Sequence, residues 1–277
     1  MLKQITKDTY SKIVIAWFLL MTGWFVILLL LGSKDGANNL AFGAIYGTVL
    51  TLFVGVVGLR AAKYWGNWNS VMGKAIILLS LGLLAQFFGQ AVFSFYNIVL
   101  GVDMPYPSIA DIGYFGNIPL YLYGIILLGR ASGVKIGLRS FSSQLLAVLV
   151  PLAMICVTYA LFLQEYDFAS TDLLTIILDF GYPIGQGLYV AFAILVYSLS
   201  RKVLGGVMKG RIILLLVAYI AQYIADFNFL YQNLNGTWYN GGYGDYLYLI
   251  AYVFMGIGLF QVRSVALKLR EKEDTNK

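Results

Sequence analysis

Histidine is missing from this 277-residue chain, cysteine occurs once, and only 12% of the residues are charged. Without histidine or clustered cysteine, the chain lacks the usual ligands of zinc, haem and iron–sulfur groups and the base of histidine-dependent triads. The lone Cys156 cannot form an intramolecular disulfide. The sequence therefore predicts no metal site and no catalytic residue, names no cofactor, and favours a protein that is not an enzyme.

Apolar residues take the place of the missing charge: they make up 60% of the chain, and the mean hydropathy is +0.79. A segment of about 20 apolar residues crosses a bilayer core as a helix. The sequence predicts one all-α polytopic membrane domain over residues 1–277, in which 264–277 form a short charged tail. We place eight spans at approximately 13–32, 40–61, 75–97, 111–130, 143–163, 174–200, 211–232 and 245–263.

The few charges are sorted between the two sides of these spans. Of the 19 Lys and Arg residues, only Lys34 falls on the opposite side from the others. Positive residues near span ends concentrate on the cytoplasmic side. We therefore expect a multi-pass protein of the cell membrane with both termini cytoplasmic. The net charge of +6 follows from this sorting and gives no reason to expect nucleic acid as a partner. Acidic residues fall mostly in outer loops and outer halves of spans: Asp35, Asp103, Asp111, Glu165, Asp167, Asp172, Asp179, Asp226 and Asp245.

A short pattern, D-x-G-Y followed by five residues and then Leu-Tyr, occurs twice. It begins at Asp111 and Asp179, and a looser copy begins at Asp245. Recurrence at this spacing predicts four repeated helical hairpins, of which the first pair of spans is the most degenerate. Ser108 is a candidate N-cap, and Asp111 would then be a first-turn carboxylate facing the positive end of its helix. Helix capping alone is enough to explain Asp111.

Spans three and seven each carry polar side chains at helical spacing. Gln86 and Gln90 in the third span match Gln222 and Asp226 in the seventh, at similar depths. Amides and carboxylates are costly in hydrocarbon, so these rows should face the bundle interior or a wet cavity. Interhelical hydrogen bonding is the structural alternative for the two pairs of residues. For Asp226, which is ionisable, we favour a functional role.

The outer halves of the spans are rich in tyrosine, of which the chain has 21. Together with the carboxylates they predict an outward-facing chamber suited to a cationic, aromatic or sugar-like small molecule. The predicted ligand-binding residues are Gln86, Gln90, Asp111, Tyr114, Asp179, Tyr182, Gln186, Gln222, Asp226, Asp245 and Tyr248.

Three stretches carry a resemblance to a known group: P-x-P-S-x-A-D-x-x-Y at 105–114, LDFGYP at 178–183, and Ala225-Asp226 before a tyrosine-rich loop. They resemble the multi-spanning input regions found ahead of bacterial diguanylate cyclase and histidine kinase domains. The resemblance implies an environmental sensor that signals to a cytoplasmic output domain. Only 14 residues follow Arg263 here, so we expect signalling to a separate cytoplasmic or membrane partner.

Two functions are favoured over a membrane enzyme and over a purely structural scaffold or assembly subunit. The first is a sensor or receptor in the lipid bilayer that binds a small ligand. The alternative is a transporter or channel for small solutes or cations, favoured by repeats, midplane polar residues and the prolines that interrupt spans four and six.

Overall fold

The computed structural model describes residues 5, 7–32, 34, 36–132, 140–164, 166, 168–169, 171–203 and 208–275. These residues form eight long helices and no β-strand. The helices are α1 (Thr9–Leu31), α2 (Ala37–Ala62), α3 (Val71–Ser94), α4 (Ala110–Ala131), α5 (Phe141–Phe162), α6 (Leu173–Val203), α7 (Lys209–Leu234) and α8 (Tyr243–Thr275). Some charged residues of the orientation argument lie outside the described residues, namely Lys3, Asp35, Lys135, Arg139, Glu165, Asp167 and Lys277.

Each helix coincides with one predicted span, and all eight are long and apolar enough to cross a membrane. The prediction of eight spans is confirmed. A π-helical turn, Phe95–Leu100, prolongs α3, and two short 3₁₀ turns, Lys63–Trp65 and Asn67–Asn69, join α2 to α3. The largest difference is at α8, which continues beyond the predicted end at Arg263 to Thr275.

Short polar side chains start several helices by accepting from the first free backbone amides. Asp8 caps α1 by accepting from the Ser11 amide at 2.8 Å, and Ser70 caps α3 in the same way through Gly73. Asp172 caps α6 through the amides of Leu174 and Thr175. The predicted cap of α4 differs: the cap position is Ile109, while Ser108 accepts from the Ala110 amide at 3.2 Å.

Six helices pack as a closed ring in the order α2, α3, α4, α6, α7, α8 and back to α2. The remaining two lie outside it, α1 against α8 and α2, and α5 against α6. Residues on the outer faces of α1 and α5, such as Leu30 and Val148, are exposed and apolar, as expected for a surface that meets lipid tails.

Side chains fill the interior of the ring. The five bulkiest side chains that are almost completely buried are all tyrosines: Tyr46, Tyr121, Tyr189, Tyr219 and Tyr252. Tyr121 of α4 meets Tyr219 of α7 across the ring, with their centroids 4.9 Å apart. The core of this membrane domain is therefore aromatic and carries hydroxyl groups, which must be hydrogen-bonded or solvated to avoid a desolvation cost.

Close helix approach depends on a few glycines. At Gly113 of α4, the hydrogen that stands in place of a β-carbon faces the backbone of Ala85 and Gly89 on α3. At Gly47 of α2, the corresponding position lies 3.2 Å from a ring carbon of Tyr252. These contacts bring polar residues of neighbouring helices within hydrogen-bonding distance of one another.

Candidate functional site

The interior of the ring is polar in the half that lies toward one end, which we call the loop end because the α3–α4 and α7–α8 loops lie there. About 12 Å of helix, at ~1.5 Å per residue, separates Asp226 from the last residue of α7, Leu234, at this end. The opposite end, which we call the terminal end, holds Asp8 of α1 beside Arg263 of α8, 3.6 Å apart. Most of the predicted site residues lie in the loop half.

Asp226 is the centre of the deepest cluster. Its side chain is buried, and one carboxylate oxygen accepts a hydrogen bond from the hydroxyl of Tyr189 on α6. The other accepts from the Tyr248 hydroxyl of α8 at 2.9 Å and from Gln222 Nε2, one turn back on α7, at 3.1 Å. All three donors are neutral. Among the described side chains, the one ion pair within 4.0 Å is Arg263 with Asp8, at the terminal end.

Gln86 and Gln90 of α3 make a neutral counterpart of this cluster. The Tyr114 hydroxyl of α4 donates to Gln90 Oε1, as the Tyr248 hydroxyl of α8 donates to Asp226. One turn deeper, Asn117 Nδ2 donates to Gln86 Oε1. The predicted polar rows of spans three and seven therefore do face the ring interior, and each bonds to the helix that follows it in sequence.

Several buried polar atoms of the ring interior have no hydrogen-bond partner, namely Gln222 Oε1 and the hydroxyls of Tyr121 and Tyr219. The Tyr252 hydroxyl lies beside the Gln86 side chain. A buried polar atom without a partner is costly, and groups of them mark places where water or a ligand binds. Gln186 Oε1 also lacks a partner, but no hydrogen bond between described residues connects Gln186 to Asp226.

Asp111 and Asp179 lie nearer the loop end, where they accept hydrogen bonds from tyrosines of other segments. Asp111 of α4 accepts from the Tyr182 hydroxyl of α6 at 2.6 Å and from the Ser108 amide at 2.7 Å. Asp179 of α6 accepts from Tyr106 at 2.7 Å and from Tyr166 at 2.6 Å, each at a different oxygen. Because Tyr106 and Tyr166 belong to two different loops, Asp179 connects both loops to α6.

The loop tyrosines keep their protons over a wide pH range. Burial, followed by the hydrogen bond to Asp179, raises the pKa of Tyr106 above the usual tyrosine value, and the pKa of Tyr166 is raised by the same two causes. A group whose pKa is raised in the folded state stabilises that state fully below its unfolded pKa and loses the effect as pH rises through the folded value. The loop contacts should therefore persist at neutral pH and weaken only in strong alkali.

We expect the substitution Asp179→Asn to loosen the loop 101–109. The change removes the charge that both tyrosine hydroxyls bond to, at a cost of about 1.5 kcal/mol, which corresponds to roughly tenfold faster amide hydrogen exchange in the loop. Hydrogen exchange measured by mass spectrometry checks this. The control is Asp103→Asn, an exposed carboxylate in the same loop. Exchange of 101–109 within twofold of the wild type in Asp179→Asn would show that Asp179 does not hold the loop.

Asp245 forms a separate cluster between α8 and α2. It is buried, accepts from the Gly241 amide at 2.7 Å, and lies beside the Tyr46 hydroxyl of α2. Next to it, Asn39 Nδ2 donates to the backbone oxygen of Asn240 at 3.2 Å. Asp111, Asp179 and Asp245 thus each have their own set of hydrogen-bond donors.

Apolar layers close the terminal half of the ring. Leucine and isoleucine side chains from four helices are buried below the tyrosines: Leu79, Leu83, Ile125, Leu128, Leu215 and Leu259. Beyond them lies a polar group that the sequence analysis did not anticipate. Arg263 packs over Tyr10 and Tyr64 beside Asp8, while Arg211 Nε and Trp65 Nε1 donate to the backbone of Gln261 and Val262.

Five polar residues of the ring interior were not in the predicted site: Asn117, Tyr121, Tyr189, Tyr219 and Tyr252. Tyr121 and Tyr189 end the two copies of the repeated pattern and belong to the tyrosines of the outer halves, but they were not predicted to bind the ligand. The signal that could have found them is their spacing, because Asn117 and Tyr121 follow Tyr114 on one face of α4, and Tyr252 follows Tyr248 on α8.

Together the fold and these clusters define a class: an eight-helix membrane protein with a buried, tyrosine-lined carboxylate. No protein family model, curated protein or solved structure matches the chain.

Proposed function

We propose that this protein is a membrane sensor that binds a small cationic solute at Asp226 and signals to a separate partner. The observation that carries the proposal is the buried Asp226 carboxylate, which accepts from Tyr189, Tyr248 and Gln222 and has no cationic side chain within 4.0 Å among the described residues. A charged carboxylate is costly to bury in a membrane domain without a positive counter-charge. A bound cation would supply that charge.

The distribution of polar and apolar side chains along the ring supports sensing. Polar side chains continue from Asp226 toward the loop end through Tyr248 and the tyrosine pairs of Asp111 and Asp179. Toward the terminal end, the ring interior is filled by the apolar layer of Leu79, Leu215 and their neighbours. A site that opens toward one side suits a receptor, whereas transport needs a path on both sides.

The proposal includes the orientation of the protein in the membrane. The terminal end carries Arg60, Lys63 and Lys74 as well as Arg211 and Arg263, so by the positive-inside rule it is cytoplasmic and the site opens outward. The output element is then α8, which runs as one helix from Tyr243 at the loop end, past Tyr248 at the site, to Thr275. A rigid helix that passes the site and continues toward the other end can carry a small displacement to a partner.

We also propose that the chain contains an internal repeat. Its hairpins combine into two related halves, α1–α4 and α5–α8. Support comes from contacts that recur: Tyr114 with Gln90 in the first half and Tyr248 with Asp226 in the second. The Tyr182–Asp111 bond joins α6 to α4, and Tyr46 beside Asp245 joins α2 to α8 in the same reciprocal manner. In each half the first helix, α1 or α5, lies outside the ring.

This recurrence is also the observation that favours transport as the second candidate, because parallel repeats around a central site are common among transporters. A two-sided path would require the apolar layer of the terminal half to open. Flux of amines or metal ions into liposomes that contain the purified protein separates the two functions, and robust flux would favour the transporter.

The binding experiment uses the purified full-length protein and its thermal unfolding midpoint. We expect cationic solutes in a panel of methylammonium, alkali metal ions, acetate, glucose and glycerol to raise the midpoint by about 5 to 10 °C at concentrations near 100 times the dissociation constant. The response should vanish in Asp226→Asn and persist in the exposed control Asp103→Asn. An unchanged cation response in Asp226→Asn, or stabilisation by the neutral and anionic solutes alone, would overturn the proposal.

A further inference from the structure

We propose that the cation held at Asp226 is a single dehydrated monovalent metal ion of the sodium type. This inference deepens the proposed function and rests on its cation site. The further ligands are Gln222 Oε1, which is buried and has no hydrogen-bond partner, and the buried Tyr252 hydroxyl, which lies beside the Gln86 side chain and keeps a lone pair for an ion. Without histidine and with a lone cysteine, the chain lacks the nitrogen and sulfur ligands that most transition-metal sites use, but an alkali ion binds oxygen atoms and does not need them.

The site contains one carboxylate, so one monovalent cation would neutralise it. The carboxylate of Asp226 is surrounded by neutral groups, namely the hydroxyls of Tyr189 and Tyr248 and the amide of Gln222. Asp111 and Asp245 bond to donors of their own, and within the described part of the chain no three acidic, histidine or cysteine residues come together. Calcium sites usually combine several carboxylates, so a lone carboxylate among neutral oxygens matches a monovalent ion better.

The two further oxygen ligands, Gln222 Oε1 and the Tyr252 hydroxyl, lie near the Asp226 carboxylate. Gln222 Nε2 is 3.1 Å from an oxygen of Asp226, and the two terminal atoms of a planar amide are only about 2.3 Å apart, so Gln222 Oε1 lies within roughly 5.5 Å of that oxygen. Tyr252 stands one helical turn after Tyr248, and the two rings stack with centroids 6.0 Å apart. An ion between these groups would receive a carboxylate, an amide carbonyl and a phenol oxygen, all of which are hard ligands.

The packing around the cluster favours an ion over an organic amine. On α2, the β-carbon position of Gly47 is 3.2 Å from the Tyr252 ring and 3.1 Å from Gln90 Nε2. On α3, the side chain of Tyr114 lies against Gly89, and the side chain of Tyr121 lies against Gly82. Tyrosine rings thus fill the space that glycines leave, up to the helix backbones. A metal ion without its water shell needs only the space between the oxygen atoms.

The test is a titration of the purified full-length protein with sodium chloride. Choline chloride replaces the salt to hold ionic strength constant, since a quaternary ammonium ion is much larger than a bare sodium ion and cannot be coordinated by the oxygen ligands. We expect a saturable rise of the unfolding midpoint by about 5 °C or more with sodium, a different affinity for lithium and potassium, and no rise with choline. This comparison needs no substitution.

Two variants localise the ion. Gln222→Met removes the free amide oxygen and should weaken sodium binding at least tenfold, and Asp226→Asn should abolish it. Asp245→Asn, a buried carboxylate in a different cluster, should keep the sodium response. Sodium stabilisation that is unaffected by Gln222→Met and Asp226→Asn would overturn the inference, as would tighter binding of calcium than of sodium. If methylammonium stabilises the protein through Asp226 and sodium does not, the proposed function stands and the metal ion is wrong. If no cation stabilises it, both fail.

Discussion

Replacing Gly113 with alanine is expected to lower the unfolding midpoint by about 6 to 12 °C, through a loss of about 3 kcal/mol. The new β-carbon would lie 2.6 Å from the backbone nitrogen of Gly89 and still nearer the backbone oxygen of Ala85. Backbone atoms cannot rotate away as the end of a side chain can, so α3 and α4 would have to separate. The bonds Tyr114–Gln90 and Asn117–Gln86 cross this interface and would weaken together.

Gly116 on the same helix is the matched control. A β-carbon there meets no atom within 4 Å. The substitution Gly116→Ala should be neutral or stabilise the protein by about 0.5 to 1 kcal/mol, because alanine loses less conformational entropy in a helix than glycine. Thermal unfolding of both variants in the same detergent checks the pair. Equal midpoints for Gly113→Ala and Gly116→Ala would show that close contact at Gly113 does not hold α3 against α4.

The sequence predicts the eight helices because an apolar run of span length has few other stable structures in a membrane. It does not predict the length of α8 beyond Arg263, because the four apolar residues that follow, Val265, Ala266, Leu267 and Leu269, are interrupted and then replaced by charged residues, although many of these are good helix formers. The division into six ring helices and two outer ones also went unpredicted. A signal for it exists, since α1 and α5 have the highest mean hydropathy of the eight.

For the site, sequence reasoning identified the groups whose burial is unusual. Gln86, Gln90, Gln222 and Asp226 lie in the ring interior as predicted, because polar side chains at helical spacing cannot face lipid. Their partners were harder to predict. Tyr189 reaches Asp226 from α6, and only the packing of α6 against α7 decides that contact. Asp111, Asp179 and Asp245 begin the copies of the repeated pattern, yet each bonds to its own donors, since residues at similar depth can belong to different helix interfaces.

The substitution Asp226→Asn should raise the unfolding midpoint in choline buffer without alkali ions, by about 3 to 10 °C, through a gain of about 1 to 3 kcal/mol. In that buffer the buried carboxylate has only the neutral donors Tyr189, Tyr248 and Gln222. An asparagine removes the charge and keeps an acceptor for one tyrosine, while the hydroxyl of the other can rotate to accept from the new NH2 group. Gln90 shows that the fold accommodates this arrangement, since it accepts from Tyr114 at the corresponding place on α3.

Asparagine at Asp111 should change the unfolding midpoint in the opposite direction. Asp111 lies in the first turn of α4, where the helix dipole favours a negative charge, and it accepts from the Ser108 amide and the Tyr182 hydroxyl. We expect Asp111→Asn to lower the midpoint through a loss of about 1 to 2 kcal/mol. If Asp226→Asn also lowers the midpoint in choline buffer, the Asp226 carboxylate is a structural acceptor whose charge the fold already compensates. A rise at Asp226 with a fall at Asp111 would show that the protein keeps an unfavourable charge in its interior, as expected for a carboxylate that binds a cation.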